Sequence, residues 1–266
     1  MLTISQLNKI GERLRKNLGT EDDLRSLDEF RLSFQVAYDE VFAELSQMGL
    51  NPGGRPQKTT LSIIAKLNRE RTRLSRMQDI AGCRVVVDNM FDQDRVIDDL
   101  KARWPDALVY DRRIKPSHGY RAVHVVVTIK EHPVEIQVRT SLQHSWASAT
   151  EKLSDVVHPD VKYGGGPKLL QKELTIASQT CAKFEEVELV HAQLLRRAET
   201  FPMEKPELDE KLAEFFAREN QAHLAKMIQE QGGVRNFLEN QKQNMNEIRD
   251  DINAMLKELC KEYNIN

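Results

Sequence analysis

Cysteine is scarce in this chain and long apolar runs are absent. Cys83, Cys181 and Cys260 stand far apart, with no CxxC spacing. An odd, sparse set builds neither a disulfide framework nor a cysteine zinc site, and it suits a reducing compartment. No apolar stretch reaches membrane length. The opening MLTISQLNKIGERLRKN interleaves charges with its apolar residues, so it reads neither as a signal peptide nor as a span. An excess of one charge is missing too: 39 Lys and Arg against 41 Asp and Glu leave a formal net charge of −2. That balance excludes a protein whose main task is coating DNA or RNA, but it leaves room for a local basic cleft. No HExxH or other zinc spacing joins His118, His124 and His144. These absences predict a cytoplasmic protein with no DNA partner and no membrane association.

The 266 residues are 40% hydrophobic, enough for one sizeable core. Ile4, Leu7, Ile10, Leu14 and Leu18 recur at helical intervals. Leu24, Leu27, Phe30, Phe34, Val41 and Leu45 continue the pattern after a break at Gly19-Thr20. Asn51-Pro52-Gly53-Gly54 closes this region as a turn cluster. A short helix is expected from about Leu61 to Arg73. The segments CRVVVD (83–88), ALVYD (107–111), RAVHVVVTI (121–129) and VEIQVRT (134–140) are β-rich, with an amphipathic stretch, Asp92 to Arg103, between the first two. Several strands with one helix among them predict a mixed sheet.

After Thr140 the chain turns helical. Leu142, Trp146, Ala149 and Leu153 form one stripe. Tyr163 to Pro167 interrupt it, and periodicity resumes from Lys168 to Glu199. Further breaks are expected at Phe201-Pro202 and Gly232-Gly233. A final stripe runs through Met245, Ile248, Ile252, Met255 and Leu259. The predicted organisation is an N-terminal helical region (1–50), a β-rich core (51–165) and a helical C-terminal extension (166–266), an α+β fold.

Four segments carry chemistry. In GRPQKTTLSIIAKLNRERTRL (54–74), Ser62, Lys66, Arg69 and Arg73 share the helix face opposite the apolar stripe, with Arg55 and Lys58 just ahead. Cations beside a helix N-terminus suit a polyphosphate; an ordinary solvated basic face is the competing reading. In MQDIAGCRVVVD (77–88), Asp79 stands at a strand end, where a carboxylate can serve magnesium or merely cap a turn. Arg84 emerges from a strand of valines.

In RRIKPSHGYRAVHVVV (112–127), Lys115, His118, Tyr120 and Arg121 surround Gly119 in a loop, offering an aromatic face for a base and cations for phosphate. His124, sharing a strand face with Ala122 and Val126, reads by itself as a satisfied core histidine. In PVEIQVRT (133–140), alternation puts Glu135, Gln137 and Arg139 on one face, either the wet side of a sheet or the floor of a phosphate-transfer cleft.

Taken together, DIAGCR (79–84), KPSHGYRAVH (115–124) and EIQVRT (135–140), followed by Trp146-Ala147, resemble the synthetase domain of the RelA/SpoT homologue family, in order and in spacing, from about Arg55 to Leu153. The resemblance implies a nucleotidyltransferase-like core, a mixed five-stranded sheet with flanking helices. It further implies a magnesium-dependent, ATP-binding transferase (a pyrophosphokinase) that moves pyrophosphate from ATP to the 3′-hydroxyl of GDP or GTP. The product would be the alarmone (p)ppGpp of the stringent response. Asp79 matches the family's magnesium-binding aspartate, and Glu135 the glutamate that binds metal or draws the proton from the attacking hydroxyl. Arg55 and Arg84 resemble the pair that sandwiches adenine. Lys58, Lys66 and Arg69 are placed like the triphosphate clamp, with Ser62 in the same motif. Tyr120 resembles the aromatic that stacks on the acceptor base, with Lys115, Arg121, His124, Gln137 and Arg139 around the acceptor.

Two departures stand out. Two residues, Pro56 and Gln57, separate Arg55 from Lys58 where the family usually has one. Thr150 and Glu151 occupy positions where a Glu-His pair is frequent. No histidine-aspartate hydrolase region precedes the motifs, so the chain reads as a small stand-alone synthetase. Two rival functions remain: a toxin-type member whose acceptor is the tRNA 3′ end or an adenine nucleotide, and an inactive nucleotide-binding or scaffold module. For the tail, self-association through the C-terminal helices is the favoured expectation, against a tail folded back on its own chain.

Overall fold

Threonines set the first two helices of the computed structural model, which describes residues 2–200 and 234–263. Thr3 caps α1 (Ile4–Arg15) and Thr20 caps α2 (Glu21–Leu32). Each hydroxyl accepts from the amide three residues on, and the side chains there, Gln6 and Asp23, bond back to the cap. A turn at Ser33-Phe34 then starts α3 (Gln35–Gln47), so the apolar pattern continuous in sequence is divided between two helices. Thr59 caps α4 (Thr60–Glu70). This helix stops before Arg73 because Arg71 takes a left-handed conformation, φ +48°. Arg73 therefore leaves the face shared by Ser62, Lys66 and Arg69.

Five strands follow the β-rich segments: β1 (Gly53–Arg55), β2 (Ala81–Val87), β3 (Leu108–Asp111), β4 (Val123–Ile129) and β5 (His132–Thr140). They form one mixed sheet in the order β1-β2-β5-β4-β3. β1 runs antiparallel to β2, and β3 and β5 run antiparallel to β4. Lys130 and Glu131, both at positive φ, turn the tight β4–β5 hairpin and fix its register, with Ile129 opposite His132 and His124 opposite Gln137. Between β2 and β3 lies α5 (Met90–Arg103). β1 needs glycine at its centre: a Cβ on Gly54 would lie 1.6 Å from the Tyr38 hydroxyl of α3.

The chain divides into two units. The first comprises residues 1–87, 95–115 and 121–139, and its core joins Leu27, Val41, Leu45, Ile63, Leu67 and Leu100 to the inner sheet residues Val125, Ile136 and Val138. The second comprises residues 88–94, 116–120 and 140–266. Within it, Thr140 caps α6 (Ser141–Val156), which packs against α7 (Lys168–Thr200) and α8 (Val234–Glu262). Leu142, Trp146 and Leu153 meet Leu170 and Leu174 there, and the Trp146 indole N–H donates to the Leu174 carbonyl at 3.0 Å.

The inner face of α8 differs from the stripe read in sequence. Met245, Ile252, Leu256 and Cys260 are buried, whereas Ile248 is 46% and Met255 39% exposed. Arg249 takes an inner position and pairs with buried Glu188 of α7. The apolar face of α8 thus finds its partners, α6 and α7, within its own chain. The breaks expected at Phe201-Pro202 and Gly232-Gly233 lie outside the described residues. Among the described residues, no helix is long and apolar enough to cross a membrane.

Candidate active site

Asp79 is the centre of the charged cluster in the first unit. It sits two residues before β2 and is buried, its side chain only 12% exposed. The Lys58 amide donates to the Ile80 carbonyl at 2.7 Å, which carries the Lys58 side chain inward to Asp79 Oδ2 at 2.6 Å. Lys66, nearly two turns into α4, reaches Asp79 Oδ1 at 2.9 Å. Arg55 Nη2 donates to the Asp79 backbone carbonyl at 3.3 Å. Burial pushes the Asp79 carboxyl up, but Lys58 and Lys66 outweigh it and hold the group at about 2. The Lys58 ammonium is drawn below its ordinary range, by burial first, although Asp79 pulls the other way.

Glu135 lies on the polar face of β5. His124 Nδ1 is 2.9 Å from its Oε1, and Gln137 Nε2 donates to Oε2 at 2.7 Å. Arg139 Nη2 in turn donates to Gln137 Oε1 at 2.8 Å. Strand alternation therefore builds a ladder, Arg139 to Gln137 to Glu135, closed by His124 from β4. Burial raises the Glu135 carboxyl and the charge of Asp79 adds to that, yet the hydrogen bonds from His124 and Gln137 leave it below the ordinary carboxylate range. His124, which strand pattern alone reads as a core histidine and the family resemblance puts beside the acceptor, is a polar-face residue with its side chain 14% exposed, bonded to a carboxylate.

Arg84 emerges half-buried from β2, its guanidinium beside Gly53 of β1. Ser62 is exposed and bound into the α4 cap, with Thr59 Oγ1 at 2.8 Å. Arg69, also exposed, meets Glu70 at 3.0 Å. Arg121 and Arg139 are buried and Lys115 is exposed.

Tyr120 belongs to the second unit, and so do Pro116 to Gly119. Tyr120 is half-buried against the core of that unit. Its loop is held from three sides. Ser178 Oγ of α7 donates to the Gly119 carbonyl at 2.6 Å. Gly119 has φ +86°, and a Cβ there would come within 2.7 Å of Trp146. His118, itself at φ +52°, is packed so closely by Gly164 that a Cβ on that glycine would lie 2.4 Å from its Nδ1. Sequence reading found the loop but not Ser178, which no motif marks. At the departure from the family pattern, Thr150 is buried with its hydroxyl donating to the Trp146 carbonyl at 2.7 Å, and Glu151 is exposed.

A buried Asp79 met by two inward lysines and a half-buried Glu135, both held in the ionised form, make a hard-oxygen donor pair suited to magnesium shared with phosphate oxygens. Among the described residues, no cluster of three or more His, Cys, Asp or Glu can hold a metal without such a partner.

Residues 54–154 match the model of the region found in RelA and SpoT proteins. An uncharacterized protein of Mycobacterium tuberculosis (strain ATCC 25618 / H37Rv) is 35% identical over 119 residues, 42% of this chain and 43% of that protein. A probable GTP diphosphokinase, chloroplastic RSH3 of Oryza sativa subsp. japonica, is 32% identical over 127 residues, 45% of this chain and 18% of that protein. The matched stretch thus spans less than half the length of these relatives. The small alarmone synthetase 1 from Bacillus subtilis, in a crystal structure bound to its product pppGpp, superposes with a TM-score of 0.52 at 23% identity, over 64% of this chain and 98% of that one. A second structure of the same enzyme gives 0.50 at 25% identity, over 64% and 97%. These two structures share the fold.

Proposed function

We propose that the chain, whose residues 54–154 match the region found in RelA and SpoT proteins, transfers the β,γ-pyrophosphate of ATP to the 3′-hydroxyl of GDP or GTP, making (p)ppGpp and AMP. One observation carries the reading: Lys58 and Lys66 converge on the buried, ionised carboxylate of Asp79. Cations and a hard-oxygen ligand brought to one point fit a metal-bound triphosphate.

In this reading Asp79 and Glu135 hold Mg2+, which when bound neutralises charge on the phosphates. Lys58 and Lys66, with Arg69 along α4, bind the triphosphate, and Arg55 and Arg84 flank the adenine. The acceptor base stacks on Tyr120, while Lys115, Arg121, His124, Gln137 and Arg139 serve the rest of the acceptor nucleotide. The 3′-oxygen forms a bond to the β-phosphorus as the bond from that phosphorus to the α,β-bridging oxygen breaks, and AMP leaves with the electron pair. Catalysis here is positioning and charge stabilisation rather than covalent help. Because the Glu135 carboxyl lies below its ordinary range, it is better suited to accepting hydrogen bonds and holding cations than to acting as a strong base at neutral pH. Its share in the proton transfer is to orient the hydroxyl, whose proton passes on to water.

The deciding experiment incubates the purified chain with Mg2+, ATP labelled in its β-phosphate, and GDP, GTP, AMP or bulk tRNA in separate reactions. The expected result is AMP release together with labelled guanosine 3′-pyrophosphate. Label on tRNA or on an adenine nucleotide, with none on GDP or GTP, overturns the acceptor assignment. No transfer to any acceptor overturns the activity.

A further inference from the structure

Helices α6 and α8 of the second unit border an open, solvent-facing cavity of about 720 Å³ that has no part in the chemistry proposed above. Its residues come from two facing stripes. His144, Ser148 and Lys152 recur four residues apart on α6, while Asp250, Asn253, Lys257 and Lys261 follow helical spacing on α8. Three lysines face one aspartate, a local cationic excess in a chain whose net charge is −2. Basic residues near a helix C-terminus complement its dipole. Dipole complementation does not explain a cavity of this size beside them, nor the Ser145 and Ser148 hydroxyls on its wall. Leu256 and Cys260 supply an apolar patch.

We propose that this cavity is a second binding site, for a phosphorylated small molecule of nucleotide size. Lysines at several points of the wall suit two or more phosphate charges better than one carboxylate, and the serine hydroxyls add neutral donors. The volume lies within the few hundred to about 1,000 Å³ typical of small-molecule sites. Leu256 with Cys260 offers a flat apolar body somewhere to rest. Lys261, now 2.5 Å from Glu258, would exchange that exposed pair for phosphate.

The test titrates the full chain with inorganic tripolyphosphate and, separately, with ATP, following the histidine ring signals by NMR. His144 reports on the cavity. His124, bonded to Glu135 in the first unit, reports on the proposed catalytic site, so the two sites succeed or fail on different signals. The expected result is a saturable His144 shift with both probes, tighter with ATP, weakened at least about tenfold in Lys152→Gln/Lys257→Gln. Ala254→Trp, which fills the cavity from an exposed position on its wall, abolishes the shift. Thermal melts of both variants verify that they fold. A His144 signal that does not move up to about 10 mM probe, or that moves equally in both variants, overturns the site.

Discussion

His124 Nδ1 lies 2.9 Å from Glu135 Oε1, which ties the polar face of β4 to the carboxylate of β5. The contact orients Glu135 from one side while Gln137 holds it from the other. Glu135→Gln keeps the shape and removes the charge, so transfer should fall at least about 100-fold, the scale of one preorganised electrostatic contact. Asp79→Asn should do the same. His124→Ala leaves the carboxylate but loosens it, and a smaller fall of roughly tenfold in kcat is expected. Initial rates of AMP release measure all three. Near-normal turnover in Glu135→Gln or Asp79→Asn would remove that residue from the site.

Asp79 also makes a prediction about pH. Its folded pKa, about 2, lies below the ordinary 3.8. A carboxyl depressed by folding contributes stability that is complete above the unfolded value and is lost as the pH falls through the folded one. Wild-type stability should therefore carry a descending limb between about pH 4 and pH 2 that is shallower in Asp79→Asn. Urea unfolding midpoints across that range decide it. Equal slopes would mean that Asp79 keeps its lysine contacts in the unfolded chain or lacks them in the folded one.

Much of the candidate site was legible in the sequence because strand alternation is a strictly local rule. Glu135, Gln137 and Arg139 had to share a face once β5 was recognised, and Asp79 had to precede β2. What escaped depended on partners distant in the chain. Nothing near His124 says that its opposite strand brings a carboxylate to its ring. The early end of α4 rests on the left-handed Arg71, a conformation whose usual marker is glycine. On α8, reading apolar residues alone chose Ile248 and Met255. The face that is buried includes a cation, Arg249, whose partner Glu188 lies 61 residues away.

The loop carrying Tyr120 gives a test with two arms. Tyr120→Ala should weaken acceptor binding more than ATP binding, since stacking on one base is worth roughly 1–3 kcal/mol. Ser178→Ala removes the 2.6 Å hydrogen bond to the Gly119 carbonyl without touching the ring. A buried neutral hydrogen bond contributes about 0.5–1.5 kcal/mol, so the acceptor KM should rise roughly three- to tenfold with the ATP KM unchanged. Ser178→Thr, which keeps the hydroxyl, should recover most of that loss. Equal weakening of both nucleotides in Tyr120→Ala would make it a structural residue of the loop.

The Glu188–Arg249 pair locks α8 to α7 inside the second unit, and it predicts an asymmetry between single and double substitutions. Burial, opposed by Arg249, holds the Glu188 carboxyl above its ordinary range. Removing Arg249 leaves a buried carboxylate with its main charge partner gone, a change that costs about 3–5 kcal/mol where such pairs have been broken. Arg249→Ala should therefore destabilise strongly. Glu188→Leu/Arg249→Met, which replaces the pair by apolar groups, should be close to neutral or stabilising. The pH dependence follows from the sign of the shift. A carboxyl whose folded pKa exceeds its unfolded value makes the folded state gain stability as the pH falls between the two. In Arg249→Ala the folded value rises further, so the deficit should be largest near neutrality and shrink below about pH 5. Ile248→Ala, on the exposed side of the same helix, should cost far less than Ile252→Ala, for which a cavity penalty of roughly 2–5 kcal/mol is expected. Chemical denaturation of the full chain at pH 7 and pH 5 measures every arm. A double variant as unstable as Arg249→Ala, or equal losses at Ile248 and Ile252, would mean that α8 does not rest on α7 through this face.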